Sequence, residues 1–354
     1  MLSLVTPMDE GPELMLDAAM NDDFLIPAGK APGLRMPEWS HYRGQPIDLS
    51  RRRSVIVRQL STGLSVSDVE YLTVDYFLHE GLFRTAVIPV NGVSDVYGQA
   101  FNFSAAKTRK TPHGTEVLRN RQGLPKRKLP ILNHVQSRFH FRPGAVIQLY
   151  ELFDEALTDP VAETDDFIYS LEVTGPHGVK FNMIDGLRGN LLSAHRMLST
   201  REMVFERLVV ENQTVTESPA LPLSEAEKRE LLLESLFRSH RAGLSEPYYL
   251  YRICGTNNCT SSPFQILDRV VQYSFPERIG SLLYRLPLNP RFYLRIRGLD
   301  SNPGQRTLVR DEFREYIDSP ATRARKREYV TRTNAERKVR RHKTEICSRS
   351  QHDS

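Results

Sequence analysis

Cys259 is placed where a thiol can act as a nucleophile. It follows the turn-forming run Gly255-Thr256-Asn257-Asn258. It also precedes a stretch in which Phe264, Ile266, Leu267, Val270 and Val271 recur at helical spacing, predicting a helix to about Tyr273. A helix N-terminus presents unpaired N–H groups and about half a positive charge. That field favours the thiolate, the nucleophilic form of cysteine. The same N–H groups suit an oxyanion formed when a carbonyl is attacked. Asn258, Thr260 and Tyr249 flank the cysteine and are the expected substrate or oxyanion contacts, and Ser261 and Ser262 add capping hydroxyls. The plainer alternative is a buried cysteine near a helix start.

A thiol of this kind needs a base, and His134 is the candidate. It stands in Asn133-His134-Val135-Gln136-Ser137, within a strand-like run from Ile131 to Phe141. A second run, Ala145 to Phe153, follows across Arg142-Pro143-Gly144, whose Pro-Gly step is a turn signal. A hairpin there sets Glu151 on the strand next to His134, where its carboxylate would fix the imidazole tautomer. Read without function, the pair is a surface histidine facing a surface glutamate. His140, His177, His195 and His240 have no comparable partner in the sequence.

Further elements must position these groups. Phe167–Val173 and Val179–Ile184 read as two more strands about Gly175-Pro176-His177-Gly178, which extends the pair into an antiparallel meander. Ser224 with Glu227 is a capping box opening a helix to His240 that carries Leu231, Leu232 and Leu236. Earlier in the chain, Ser67 and Glu70 predict a short helix over 65–79, and Leu82–Val90 a strand. Arg109–Lys128 reads as an exposed basic loop, and Phe292–Ile296 as a last strand. Residues 1–50 read as an irregular leader, 51–318 as one domain and 319–354 as a basic, flexible tail.

Composition narrows the classes of function. With 354 residues and 40% hydrophobic content the chain can bury a sizeable core. The net charge of +5 is concentrated: residues 323–349 carry eleven Lys or Arg against three Glu, leaving the body near neutral. Three cysteines cannot build a disulfide framework, and Cys254 and Cys259 lack the paired spacing of a structural zinc site. No metal or cofactor site is expected. Phosphate-binding glycine loops, Gly-x-Ser-x-Gly elbows and His-Glu-x-x-His motifs are absent. Met1–Pro27 has neither the basic start nor the apolar run of a signal peptide, and no stretch of 18 apolar residues occurs, so a cytoplasmic location is favoured.

Residues 131–271 resemble the Lnb-type lipoprotein N-acyltransferase periplasmic-domain family, once an uncharacterised-domain family. The resemblance is carried in order by Asn133-His134-Val135, Leu149-Tyr150-Glu151, Gly186-Leu187-Arg188-Gly189, the acidic helix from Glu227 to Tyr249, and Asn258-Cys259-Thr260. It implies an α+β fold with a permuted papain-like (NlpC/P60-like) core, an antiparallel sheet and a cysteine-bearing helix. In that family's pattern Cys259 is the acyl-accepting nucleophile, His134 the general base and Glu151 the orienting group. The expected reaction is acyl transfer, or ester or amide hydrolysis, through a thioester on Cys259. The substrate would be an acyl-bearing lipid, lipoprotein or peptide. The chain departs from the family in its basic tail, its long N-terminal region, and Arg138 and His140 where the family is more apolar. Two non-catalytic readings stand beside it: a binding protein whose tail 323–349 contacts nucleic acid or an anionic membrane, and a structural protein built on the same fold.

Overall fold

The computed structural model describes residues 34–58, 70–129 except 113 and 122, 132–252 except 180, 257–282, 290–300 and 305–350; side chains are described as far as residue 335. Cys254 and the expected helix start at Ser67 lie outside the described residues. The remainder form an α+β structure built on an eleven-stranded, mostly antiparallel sheet. In chain order the strands of the described residues are β1 (Ile56–Val57), β2 (Tyr71–His79), β3 (Leu82–Pro89), β4 (Val93–Asn102), β5 (Thr108–Thr111), β6 (Gly114–Val117), β7 (Asn133–Phe141), β8 (Ile147–Tyr150), β9 (Ala162–Thr164), β10 (Asp166–Thr174), β11 (Leu192–Ser199), β12 (Val215–Ala220) and β13 (Thr307–Leu308). Across the main sheet the order is β13-β12-β4-β7-β10-β11-β2-β3-β8-β9, with β1 paired to β2. Strands β5 and β6 make a separate exposed hairpin within the expected basic loop.

The alternation of β7 shows why this sheet needs two covering layers. Val135, Phe139 and Phe141 join a large apolar cluster with residues of two helices, α3 (Glu225–Ala242) and α4 (Ser261–Val270). His134, Gln136 and Arg138 occupy the alternate positions, so they point to the other face. That second face carries Phe101, Ile168 and Leu198 in a cluster with Met203, Phe205 and Leu208. These come from α2 (Thr200–Val204) and the π-helical turn Phe205–Val210 that continues it. Among the described residues, the other helices are α1 (Met183–Arg188), α5 (Phe275–Ser281), α6 (Pro290–Arg295), α7 (Val309–Glu312), α8 (Arg314–Asp318) and α9 (Pro320–Ser350).

Several expectations are met. The Ser224/Glu227 capping box opens α3 as read, and α4 begins just after Cys259, ending at Val270 rather than Tyr273. Others are corrected. Tyr71–His79 is a strand, not the end of a helix: its buried Leu72, Val74, Phe77 and Leu78 are taken up by the sheet on both faces. Among the described residues of 179–184 no strand forms; Asn182 accepts from the Asp185 N–H and caps α1 instead. Phe292–Ile296 lies largely in helix α6. Within the expected leader, residues 34–49 are irregular but docked: Met36 and Ile47 are buried with Leu192, and Tyr42 donates to Asp185. The basic tail forms helix α9, whose Arg325 pairs with the buried Glu202 and whose Tyr329 packs edge-on against Phe205.

The expected meander is the largest correction. Strands β7 and β8 are consecutive in the chain but do not pair: β7 runs between β4 and β10, whereas β8 pairs with β3 and β9. Both strands find better partners elsewhere, because nine residues of β7 match β4 along its length.

Candidate active site

Helix α4 and the start of β7 bring Cys259 beside the residue preceding His134. Asn258 anchors the turn. Its Oδ1 accepts from the N–H groups of Thr260 at 2.9 Å and Ser261 at 2.8 Å, and its Nδ2 donates to Leu250 O at 2.8 Å. This is the side-chain capping expected of an Asn at a helix start. Thr260 then ties the helix to the strand, its Oγ1 donating to Asn133 O at 3.1 Å. A second tie lies two residues along: Tyr169 OH is 3.0 Å from Ser262 Oγ and 2.6 Å from His195 Nδ1. Asn258, Thr260, Ser261 and Ser262 are all fully buried, so these bonds fix the turn by the cost of leaving any of them unmade.

Cys259 and His134 line one cavity of about 300 Å³, with Phe101, Glu172, Arg207 and Tyr248 among its other walls. The sulfur accepts from Tyr248 OH at 3.8 Å and lies 4.0 Å from Asn133 O; among the described residues no hydrogen bond joins it to His134. The thiol is 4% exposed. Burial pushes its pKa up to about 11, and the nearby Glu172 carboxylate adds to the rise, against smaller opposing contributions from Tyr248, Thr260 and its own N–H. Desolvation therefore outweighs the helix terminus, and the expected thiolate is a neutral thiol in the unliganded protein.

His134 is stacked on Phe101, with ring centroids 4.6 Å apart and planes 19° from parallel. Burial lowers its pKa to about 4, despite the favourable charge of Glu172, so the ring is neutral near pH 7. Its Nε2 is 2.8 Å from Ser170 Oγ, and Ser170 Oγ donates to Glu172 Oε1 at 3.2 Å. A hydroxyl has one proton. With that proton directed to Glu172, Ser170 accepts from Nε2–H, which leaves Nδ1 as the unprotonated nitrogen. Burial alone would raise the Glu172 carboxyl, but Arg207, His134 and Arg196 outweigh it and hold it well below the usual carboxylate range. Arg207 also donates directly to Glu172 and covers the Phe101 ring at 4.8 Å.

Glu151 is not the orienting group. It lies just after β8, far across the sheet order from β7, with its side chain 70% exposed and paired to Arg84. Ser170 and Glu172 take that place from β10, the strand that pairs with β7. Tyr249 is likewise displaced: Tyr248 reaches the sulfur, while Tyr249 packs on Gly189. Gly189 ends α1 at φ 70°, and a β-carbon there would fall 2.3 Å from the Tyr249 ring. The Gly186-Leu187-Arg188-Gly189 segment thus seats the Tyr248–Leu250 stretch, with Leu250 N–H donating to Gly186 O at 2.8 Å.

The signal for the missed residues was present in the sequence. In the apolar run Phe167–Val173 only Ser170 and Glu172 are strongly polar besides Tyr169, and their i, i+2 spacing sets both on one strand face. No family model, curated protein or solved structure matches the chain. Among the described residues no helix is long and apolar enough to cross a membrane.

Proposed function

We propose that the protein is a cysteine-dependent acyltransferase or hydrolase, with Cys259 as nucleophile and His134 as general base. The observation that carries this reading is the shared cavity. It holds a thiol at a helix start and an imidazole whose Nε2 is engaged by Ser170 and Glu172. A cysteine before α4, packed against the strands that carry the histidine and its partners, is also what a permuted papain-like core of the Lnb type requires.

The chemistry starts from two neutral groups. As Cys259 Sγ attacks a carbonyl carbon, its proton passes to His134 Nδ1 and the carbonyl electrons move to oxygen. The imidazolium formed is stabilised through Ser170 by the ionised Glu172. When the tetrahedral adduct collapses, the proton is delivered to the departing alkoxide or amine, leaving a thioester on the sulfur. Water or an acceptor amine then attacks the thioester carbonyl as His134 removes its proton, and the thiol is restored. Tyr248 OH, already directed at the sulfur, is among the described residues the group best placed to donate to the developing oxyanion.

The test is covalent. Incubation with a p-nitrophenyl ester should add one acyl mass to the wild-type protein, localised to Cys259 and released by neutral hydroxylamine. Cys259→Ser should show no hydroxylamine-labile adduct. Acylation confined to other residues, or equal in the serine variant, overturns the assignment.

A further inference from the structure

A second cavity, of about 420 Å³, adjoins the first and shares Arg52, Val173 and Phe181 with it. Arg51 closes one side, and Tyr329, Arg332 and Thr333 of α9 close another. Charge in this space is unbalanced. Three guanidiniums, Arg51, Arg52 and Arg332, face one carboxylate, Asp48, which lies 3.4 Å from His177 Nδ1. Behind Arg51 stand Glu202 at 3.3 Å and Glu206 at 3.9 Å, and Glu202 is shared with Arg325. Arg51 is further held over the Tyr329 ring at 4.6 Å, and its Nε is buried with no hydrogen-bond partner among the described residues. Arg52 donates to Val173 O at 3.0 Å, and among the described residues neither Arg52 nor Arg332 forms an ion pair. Guanidiniums convergent on a cavity, with hydroxyls from Ser50 and Thr333 on the same walls, offer more donors than a carboxylate's two oxygens can use.

We propose that this cavity is an anion subsite that binds a phosphoryl group, and that Arg52, on the wall common to both cavities, places the phosphoryl-bearing end of the substrate beside Cys259. The substrate class is then an acyl ester carrying a phosphate on its alcohol part. The assignment of the ester to Cys259 rests on the function proposed above; the anion subsite does not. The C-terminal basic helix becomes part of the site, supplying Arg332 as a binding group.

The test is direct binding to the full-length Cys259→Ser protein, by calorimetry, with three probes: butyryl glycerol phosphate, butyryl glycerol and inorganic phosphate. The phosphorylated ester is expected to bind roughly tenfold or more tighter than the neutral one, the scale of a charge-assisted contact. Arg52→Gln and Arg332→Gln, both at exposed positions, should each remove most of that preference, and Arg332→Gln, which lines only the second cavity, should do so without weakening the neutral ester. Competition by inorganic phosphate would support the subsite and show that free phosphate also fills it. Equal affinity for the two esters, no binding by either, or a preference untouched by Arg332→Gln overturns the proposal. A preserved preference alongside a wild-type protein that never forms a Cys259 thioester would keep the subsite and reject the acyl-transfer reading.

Discussion

At the residue scale, burial sets the charge state of the site. His134 is held neutral, with a pKa near 4 against about 6.5 in an unfolded chain, and it therefore couples folding to pH. Between those values the unfolded chain binds a proton that the folded one does not, so stability falls as pH drops from 6.5 towards 4. The span corresponds to about 3 kcal/mol. His195, also buried and lowered, acts in the same direction. Urea unfolding between pH 7 and 4 should show this loss, and His134→Gln should reduce the pH slope by about one proton; an unchanged slope contradicts the assignment. The relay behind His134 gives a second expectation. Ser170→Ala removes the acceptor that fixes Nε2–H and should slow Cys259 acylation at pH 7 by roughly tenfold to a hundredfold. Glu151→Gln, altering only an exposed partner of Arg84, should leave the rate within about twofold. Reversed sensitivities would restore Glu151 to the site. Cys259 and His134, which share one cavity, each sit at a signal readable in the sequence, a turn before a helical stripe and a polar residue in a strand. Ser170 and Glu172 left a local signal too, their i, i+2 spacing in an apolar run, but that they stand behind His134 depends on which strands pair.

At the element scale, the turn before α4 is the part that local sequence describes best. Asn258 supplies three hydrogen bonds from one side chain, two accepted and one donated, in a fully buried setting. Asn258→Ala should cost about 2–4 kcal/mol, from the lost cap and the stranded Leu250 carbonyl. Asn258→Asp keeps the two accepted bonds and should recover part of that loss in urea unfolding. Equal destabilisation by the two variants would mean the cap is not what holds the turn. The strands were harder to order. Hairpin logic pairs neighbours, and β7 and β8 are joined by Pro143-Gly144, yet β7 is claimed by β4 and β10. Local turn chemistry carries no information about partners 26 or more residues away, which is why the expected meander failed while most of its strands were correctly placed.

At the scale of the whole molecule, the two ends of the described chain pack on the sheet rather than hang from it. Residues 34–49 cover Leu192, and α9 meets the sheet's second layer through Arg325 and Tyr329. Arg325 answers a buried carboxylate: burial raises Glu202, and Arg325 and Arg51 oppose that rise. Arg325→Ala should cost about 3 kcal/mol, because removing one partner leaves a buried charge under-compensated. Truncation after Asp318 should be at least as destabilising in thermal unfolding. A truncated protein that melts at the full-length temperature would return the tail to the flexible arm that its composition suggests. Charge density is visible in a sequence; the single arginine and single tyrosine that anchor the helix are not distinguishable there from their solvated neighbours.

If Cys259 and His134 act as the proposed pair, the pH dependence of single-turnover acylation by a p-nitrophenyl ester will show it. With His134 neutral above about pH 4 and the thiol protonated to about pH 11, the wild-type rate should be nearly flat from pH 6 to 9. His134→Ala should be slower at pH 7 by roughly a hundredfold or more, and should rise about tenfold per pH unit as thiolate forms. Parallel profiles in the two proteins, each following the thiolate alone, would contradict the account and leave Cys259 a buried residue without a base.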